Sequence, residues 1–396
     1  MPGPLHGFRV LDLTTNVSGP LATMILGDHG ADIVKVEAPD GGDHTRAAAN
    51  RRGGLSASFL NNNRNKRSIV LNLKNPAAID ILLRLSKTAD VFVQNFRPGV
   101  AERLGVGESA VRAAAPRIVY VSISGFGEVG PYGQRPAYDP LIQAFSGLAT
   151  VQAGSDRVRP RMLRTILPDK LTAITASQAI TAALLARERT GEGQHVRLSM
   201  LEAVVAFLWS SDMGSQTFAD EDQPQEEASA TDLIYETADG YITVAVQTDR
   251  QWTGLARALR HPEWLEDERF RTPALRQQNI DARMQLTREA LRTGTSAEWL
   301  DRLTAADVPC APVLTRSEVI RHPQLRELGL VAEYDHPAAG RLRQARAAAR
   351  FSCTPPEIRR GAPLLGEHTG EILAELGYAA DDIANLRAQG IIGGTA

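Results

Sequence analysis

Cysteine is scarce in this chain. Two residues in 396, Cys310 and Cys353, allow no disulfide framework and have no metal-ligand spacing. Long apolar runs are missing as well. The longest uninterrupted one, Ala203 to Trp209, falls far short of the ~20 residues a membrane helix needs. There is almost no charge bias: 44 Lys and Arg against 46 Asp and Glu leave a net charge of -2. That balance argues against a dedicated nucleic-acid binder and leaves a local basic pocket open. The first residues carry neither a charged region nor an apolar signal core, so the expectation is a soluble, cytoplasmic protein. Apolar residues at 43% and charged residues at 23% exclude disordered, collagen-like and coiled-coil chains. The length suggests two or three domains, or one large domain with an insertion.

The familiar chemical fingerprints are absent too. Where a dinucleotide site would place G-x-G-x-x-G after the first strand, the chain reads Thr14-Thr15-Asn16-Val17-Ser18-Gly19-Pro20. No phosphate loop ending in Gly-Lys-Ser/Thr and no G-x-S-x-G elbow occurs. The 8 histidines are scattered singly, which speaks against a metal site.

What is present is alternation. Short apolar runs at Arg9–Leu13, Ile33–Val36, Ser68–Leu73, Val91–Val93 and Ile118–Ile123 are separated by helical stretches, one of them opened by Pro76. This pattern predicts βαβ units and a largely parallel sheet, with ligands at the loops beyond the strands' carboxyl ends. Tyr138 to Val151 and Asp169 to Arg189 read as helical, the second stopped by Gly191. Asp220 to Asp232 is acidic and polar, a linker or lid. Leu233 to Gln247, with Asp239-Gly240 at its centre, reads as a β-hairpin. Thr369 to Gln389 is helical again.

Several residues are chemical candidates. Asp169 opens a long apolar helix in Leu167-Pro168-Asp169-Lys170. It is either a helix cap or a nucleophilic carboxylate able to attack an activated acyl group, its ionised form favoured by the helix N-terminus. Asn95-Phe96-Arg97-Pro98-Gly99 follows the fourth strand: an ordinary turn, or Arg97 over a phosphate with Phe96 against the ligand's apolar part. Arg46, Lys74 and Arg103 lie in loops at the same predicted edge. Each alone reads as surface charge; together they suit a polyanion. Tyr138-Asp139 either packs and caps, or turns the tyrosine hydroxyl to a reacting centre. His195 reads as structural or exposed, and Trp252 with Trp264 as core of a smaller domain.

Taken in order, Leu11-Asp12-Leu13 with Gly19-Pro20, Gly30 to Glu37 with Gly42-Asp43 and Arg46, Asn95 to Gly99, Ala137-Tyr138-Asp139, Asp169, Thr190 to Gln194, Val308 to Val313 and Leu365 to Thr369 resemble the class III coenzyme A transferases. That family includes formyl-CoA and carnitine CoA transferases and the α-methylacyl-CoA racemases. The resemblance implies an α/β fold: a large Rossmann-like parallel-sheet domain built from both chain ends plus a smaller α+β domain, in an interlocked homodimer. The chain then divides into 1–215, a linker 216–232, a small domain 233–328, and a return at 329–396.

The resemblance also implies CoA transfer from an acyl-CoA to a free carboxylic acid, with no metal and no bound cofactor. Asp169 would pass through an aspartyl anhydride and an aspartyl-CoA thioester, with Tyr138 as the second catalytic residue. CoA contacts map onto Asn16, Val17, Leu71 to Lys74, Asn95, Phe96, Arg97, Arg103, Arg135 and Ala137. Racemases carry a histidine where this chain has Tyr138, and a small-domain glutamate near Asp249; racemase or epimerase chemistry is the alternative. Val17 and Ala38 replace a glutamine and an arginine of the formyl-CoA transferases, and Val246 to Arg250 lacks their glycine-rich loop. Formate and oxalate are therefore poor expectations. Arg135, Arg164 and Arg250 are candidates for gripping a second carboxylate of the acceptor.

Overall fold

Six short β-branched runs in the first half of the chain become strands. In the computed structural model, which describes residues 3–219 and 232–394, they are β1 (Arg9–Asp12), β2 (Asp32–Glu37), β3 (Lys66–Leu71), β4 (Val91–Gln94), β5 (Val119–Ser124) and β6 (His195–Ser199). A second compact unit, residues 232–328, follows. It carries β7 (Ile234–Glu236), β8 (Tyr241–Val244) and β9 (Cys310–Pro312) as a three-stranded antiparallel sheet. The chain then returns to the first unit as the antiparallel pair β10 (Val331–His336) and β11 (Gly340–Ala345) and ends on β12 (Ile392–Gly393).

The large sheet runs β12-β3-β2-β1-β4-β5-β6. Its six early strands are parallel, but β12 joins β3 antiparallel, Ile392 opposite Leu71. The sheet is therefore largely parallel, as expected, and mixed only through this one edge strand. A two-residue strand after a helix is too short to show in the sequence, and its direction is set by how the tail helices bring it to the sheet edge.

Both faces are covered, as parallel sheets require, and the period of two sorts the side chains. Leu11, Val34, Phe92 and Tyr120 point to one core with Ile81, Leu82 and Leu85 of helix α2 (Pro76–Ser86) and with Ile372 and Leu373 near the chain's end. Val10, Ile33, Val91 and Val121 point to the other core. There they meet helix α1 (Ser18–Asp28) and the 24-residue helix that Gly191 terminates in a left-handed conformation. Small residues on that long helix, Ala173, Ala176 and Ala183, let it lie against α1 and the sheet.

The predicted helix from Tyr138 to Val151 is in fact two, Asp139–Phe145 and Leu148–Ala153, broken at Gly147, whose φ is +85°. In the second unit the hairpin forms as expected, Tyr241 opposite Glu236. Trp252 and Trp264 stack at 6.0 Å in its core. Of the expected linker 216–232, residues 220–231 lie outside the described residues.

Candidate active site

The carboxyl ends of β1, β4 and β5 and the starts of four helices enclose one cleft of about 130 Å³. The helices are α1, α3 (Asp139–Phe145), α4 (Leu167–Thr190) and α5 (Met200–Trp209). Asp169, Tyr138, Asn16, Asn95, Phe96, Arg97, Arg135 and Ala137 all line it. Eight expected site residues, far apart in sequence, are thus brought together. Val17, Leu71, Lys74 and Arg103 are not among its walls. Leu71 is buried in the core, paired with Ile392 of β12. Lys74 is exposed just past the end of β3. Arg103 lies beside Gly99, where an added Cβ would approach its Nη1 to 3.3 Å.

Asp169 is the third residue of α4, not its cap. The N-cap position is Ile166, which makes no side-chain cap bond. The backbone N–H of Asp169 is instead taken by Asp139 Oδ2 at 3.2 Å. Asp139 starts α3 and is itself buried. Its Oδ1 accepts from Gln143 Nε2 at 2.6 Å, and Gln143 Oε1 accepts the N–H of Leu163 at 2.9 Å. Burial, and then the charge of Asp139, push the Asp169 carboxyl above its usual range; the hydroxyl and N–H of Ser18, first residue of α1, pull the other way. Among the described residues Asp169 forms no ion pair, although Arg97 and Arg135 line the same cleft. Tyr138 is exposed and turned to the cleft rather than packed.

The wall opposite is a tightly tied loop. Asn95 Nδ2 donates to the Thr15 carbonyl at 2.9 Å while its Oδ1 accepts the Thr15 N–H at 3.0 Å. Its amide is thus committed to the protein. Beneath the loop lies a network with no access to solvent. Lys66 Nζ donates to Asp12 Oδ2 at 2.8 Å and to the Pro20 carbonyl at 2.8 Å. Lys35 Nζ donates to the Thr14 carbonyl at 2.8 Å. Sequence reading missed this network. Its one signal was charge inside strands, Lys35 and Lys66 within apolar β2 and β3, where burial demands partners. Gly125 keeps the cleft's floor thin: a Cβ there would strike that of Ala137.

Other candidates are spent elsewhere. Arg46, expected near a phosphate, is buried, pairs with Glu37 at 2.6 Å and lies over the Phe59 ring. That corrects its assignment to the ligand. Arg164 is exposed ahead of α4 and outside the cleft. In the second unit Asp249 is bonded to Arg276 and Arg250 to Asp307. His195 is half-buried and bonds Ser122 Oγ at 2.8 Å, beside a wider hollow of about 660 Å³ that shares Phe96, Arg97 and Pro98 with the cleft. Among the described residues no three His, Cys, Asp or Glu side chains gather as a metal site would need. No described helix is long and apolar enough to cross a membrane.

The model of CoA-transferase family III matches residues 5–369. The chain belongs to this family. Human succinyl-CoA:glutarate CoA-transferase is 34% identical over 98% of this chain and 90% of its own length. Formyl-CoA:oxalate CoA-transferase of Shigella sonnei is 34% identical over 98% and 99%. The crystal structure of a CAIB/BAIF family protein from Brucella suis superposes with a TM-score of 0.82 at 30% identity, covering 95% of this chain and all of that one. As a family III member the chain is an acyl-CoA:carboxylate CoA-transferase, and coenzyme A is its substrate rather than a resident cofactor.

Proposed function

We propose that Asp169 is the nucleophile of this transferase. The observation that carries the reading is a half-buried carboxylate, in no ion pair among the described residues, at the head of α4 and lining a cleft walled by Arg97 and Arg135. A carboxylate oxygen of Asp169 bonds to the donor's acyl carbon and the C–S bond breaks. The electron pair leaves on sulfur as CoA thiolate, and an aspartyl anhydride remains. The thiolate then attacks the aspartyl carbonyl, releasing the donor acid and leaving an aspartyl-CoA thioester. The acceptor carboxylate attacks this carbonyl and expels CoA thiolate, leaving a second anhydride; the thiolate then attacks the acceptor's acyl carbon, forming the new thioester and freeing the Asp169 carboxylate. No proton moves, and thioester exchange between similar acids is nearly isoenergetic. Positioning and a carboxylate that can hold an acyl group therefore suffice.

In this reading Arg97 and Arg103 hold the CoA phosphates with Lys74, while Phe96, Asn16, Val17, Ala137 and the Leu71–Lys74 turn shape the channel. Tyr138 orients the reacting carbonyl. Arg135 receives the far carboxylate of a dicarboxylic acceptor, the acid class in the names of both curated relatives. The apolar outer faces of α3, α4 and helix α5 (Met200–Trp209), with Leu141, Phe145, Ile174, Leu185, Phe207 and Trp209 exposed, support burial in an interlocked homodimer. Sedimentation as a 42.9 kDa monomer would remove that part. The two free cysteines support a cytoplasmic location.

The test is chemical trapping. Enzyme incubated with succinyl-CoA and hydroxylamine should yield a hydroxamate at position 169, seen as a modified peptide. Modification at another residue, or none, would refute the nucleophile. Free acids screened against succinyl-CoA read the acceptor class: transfer only to long-chain or aromatic monoacids would end the dicarboxylate proposal. Deuterium exchange at the α-carbon of a 2-methylacyl-CoA without any acceptor would favour racemase chemistry instead.

A further inference from the structure

We propose that Asp139 is a positioning residue for the transfer reaction: a second buried carboxylate that anchors the backbone of Asp169 and makes negative charge on its side chain costly. The inference rests on Asp169 being the nucleophile.

The geometry has two parts. Asp139 Oδ2 accepts the N–H of Asp169, and its Oδ1 accepts from Gln143, which in turn holds Leu163 through its N–H and Thr165 through its carbonyl. Asp139 and Gln143 of α3 thereby grip both the approach to α4 and its first turn, so the backbone from which the Asp169 side chain departs is held by α3. The second part is charge. Asp139 is 4% exposed, lines the same cleft as Asp169 and forms no ion pair among the described residues. Two carboxylates share a poorly solvated site, and like charges so placed resist joint ionisation.

The surroundings do not cancel this. From α1, Ser18 presents its hydroxyl and N–H to Asp169. From the loops, Arg97, Arg135 and Tyr138 line the cleft. On α4 itself the Lys170 ammonium is turned to Thr165 Oγ1 at 2.8 Å. From α5, Glu202 is occupied by Ser199 in a capping box, leaving uncharged Met200 as the neighbour in the wall.

The consequence follows from the electron balance. When Asp169 attacks the thioester, one negative charge leaves its carboxyl and departs on the CoA sulfur. Repulsion from Asp139 is present in the resting enzyme and gone in the anhydride and the aspartyl thioester. Asp139 therefore raises the resting state, makes the Asp169 oxygen more basic and more nucleophilic, and favours the covalent states. It touches no substrate atom in doing so.

Asp139→Asn removes the charge and keeps an acceptor oxygen for the Asp169 N–H. With the full-length enzyme and succinyl-CoA, hydroxamate formation at position 169 should slow roughly tenfold or more. The fraction of enzyme held covalently without acceptor should fall, and the acid limb of the rate profile should move to lower pH. Affinity for CoA should be unchanged. A purely structural role would lower stability and affinity without moving the acid limb. Difference infrared titration of wild type against Asp169→Asn reads the Asp169 carboxyl directly, its wild-type arm without any variant at 139. Burial raises its midpoint first and Asp139 second, so it should lie above the ordinary 3.8 in wild type and be lower in the Asp139→Asn background. If wild type is trapped at 169 but Asp139→Asn has the same rate and acid limb, or the midpoint is 3.8 or lower or is unmoved in the Asp139→Asn background, the role of Asp139 is overturned and the nucleophile stands. If wild type is not trapped at 169, both fall.

Discussion

Lys35 and Asp43 meet at 3.0 Å with neither side chain exposed to solvent. Asp43 Oδ1 also accepts the N–H of Asn16 at 3.2 Å, and Lys35 also holds the Thr14 carbonyl. A buried ion pair thus clamps the loop that forms one wall of the active-site cleft. Asn16 has a φ of +68°, a left-handed conformation that non-glycine residues adopt at a cost; the clamp holds it there. Burial alone would depress the Lys35 ammonium, but Asp12, Asp43 and Glu37 outweigh it and raise it. Lys35→Met should leave Asp43 buried without its counter-ion and cost about 3–5 kcal/mol of stability. Urea unfolding measures the loss, and CoA affinity should fall with it as the loop relaxes. A stability change under ~1 kcal/mol would mean that the pair contributes no more than a surface one.

Asp12 gives a pH signature. Burial would raise its carboxyl, but Lys66 and then Lys35 more than offset this and bring it to about 2 from 3.8. Its folded value lies below its unfolded one. Its stabilisation is therefore present above pH 3.8 and is lost as the pH falls towards about 2. The stability gap between wild type and Asp12→Asn should narrow over that window. A gap that stays constant would show that Asp12 is not held ionised by the lysines.

Asp169→Asn separates nucleophile from helix support. Position 169 is inside the first turn, and its N–H is satisfied by Asp139, so the amide should keep the fold. Relief of repulsion from Asp139 should leave the melting temperature equal or higher. Transfer activity should drop by roughly a thousandfold or more, since the amide has the shape but not the nucleophilicity. A large fall in melting temperature with activity per folded molecule retained would assign Asp169 to structure alone.

Arg97 and Lys74 should act on different phosphates of CoA. Arg97 is in the cleft. Lys74 follows β3, three strands from β4 in the order β3-β2-β1-β4, a span of roughly 14 Å at ~4.8 Å per strand. Arg97→Ala should weaken CoA binding by ~10- to 150-fold, the loss of one charge-assisted contact of about 1.5–3 kcal/mol. Lys74→Ala should weaken CoA but leave acyl-pantetheine, which lacks the nucleotide, unaffected. Equal losses for both ligands would place Lys74 elsewhere.

Much of this was legible in the residues. The alternation of β-branched runs with helical stretches determined a parallel α/β core, because strands buried on both faces must be apolar and helices must bury a stripe. Pro76, Gly191 and Asp239-Gly240 marked element ends by backbone chemistry alone. The order of Asn95 to Gly99, Ala137-Tyr138-Asp139 and Asp169 pointed to CoA transfer through its resemblance to the class III CoA transferases. Tertiary structure alone decided what long-range contact controls. The antiparallel β12 depends on where the tail helices deliver two residues. Arg46 pairs with Glu37, nine positions back, because β2 and the following turn fold together, so its charge never reaches a ligand. Asp139, which by sequence was a plausible cap of its own helix, serves α4 instead, 30 residues away. Local pattern records only what a residue offers to neighbours a few positions off. Which distant amide or ammonium a buried carboxylate must satisfy is set when the elements pack and water is removed from between them.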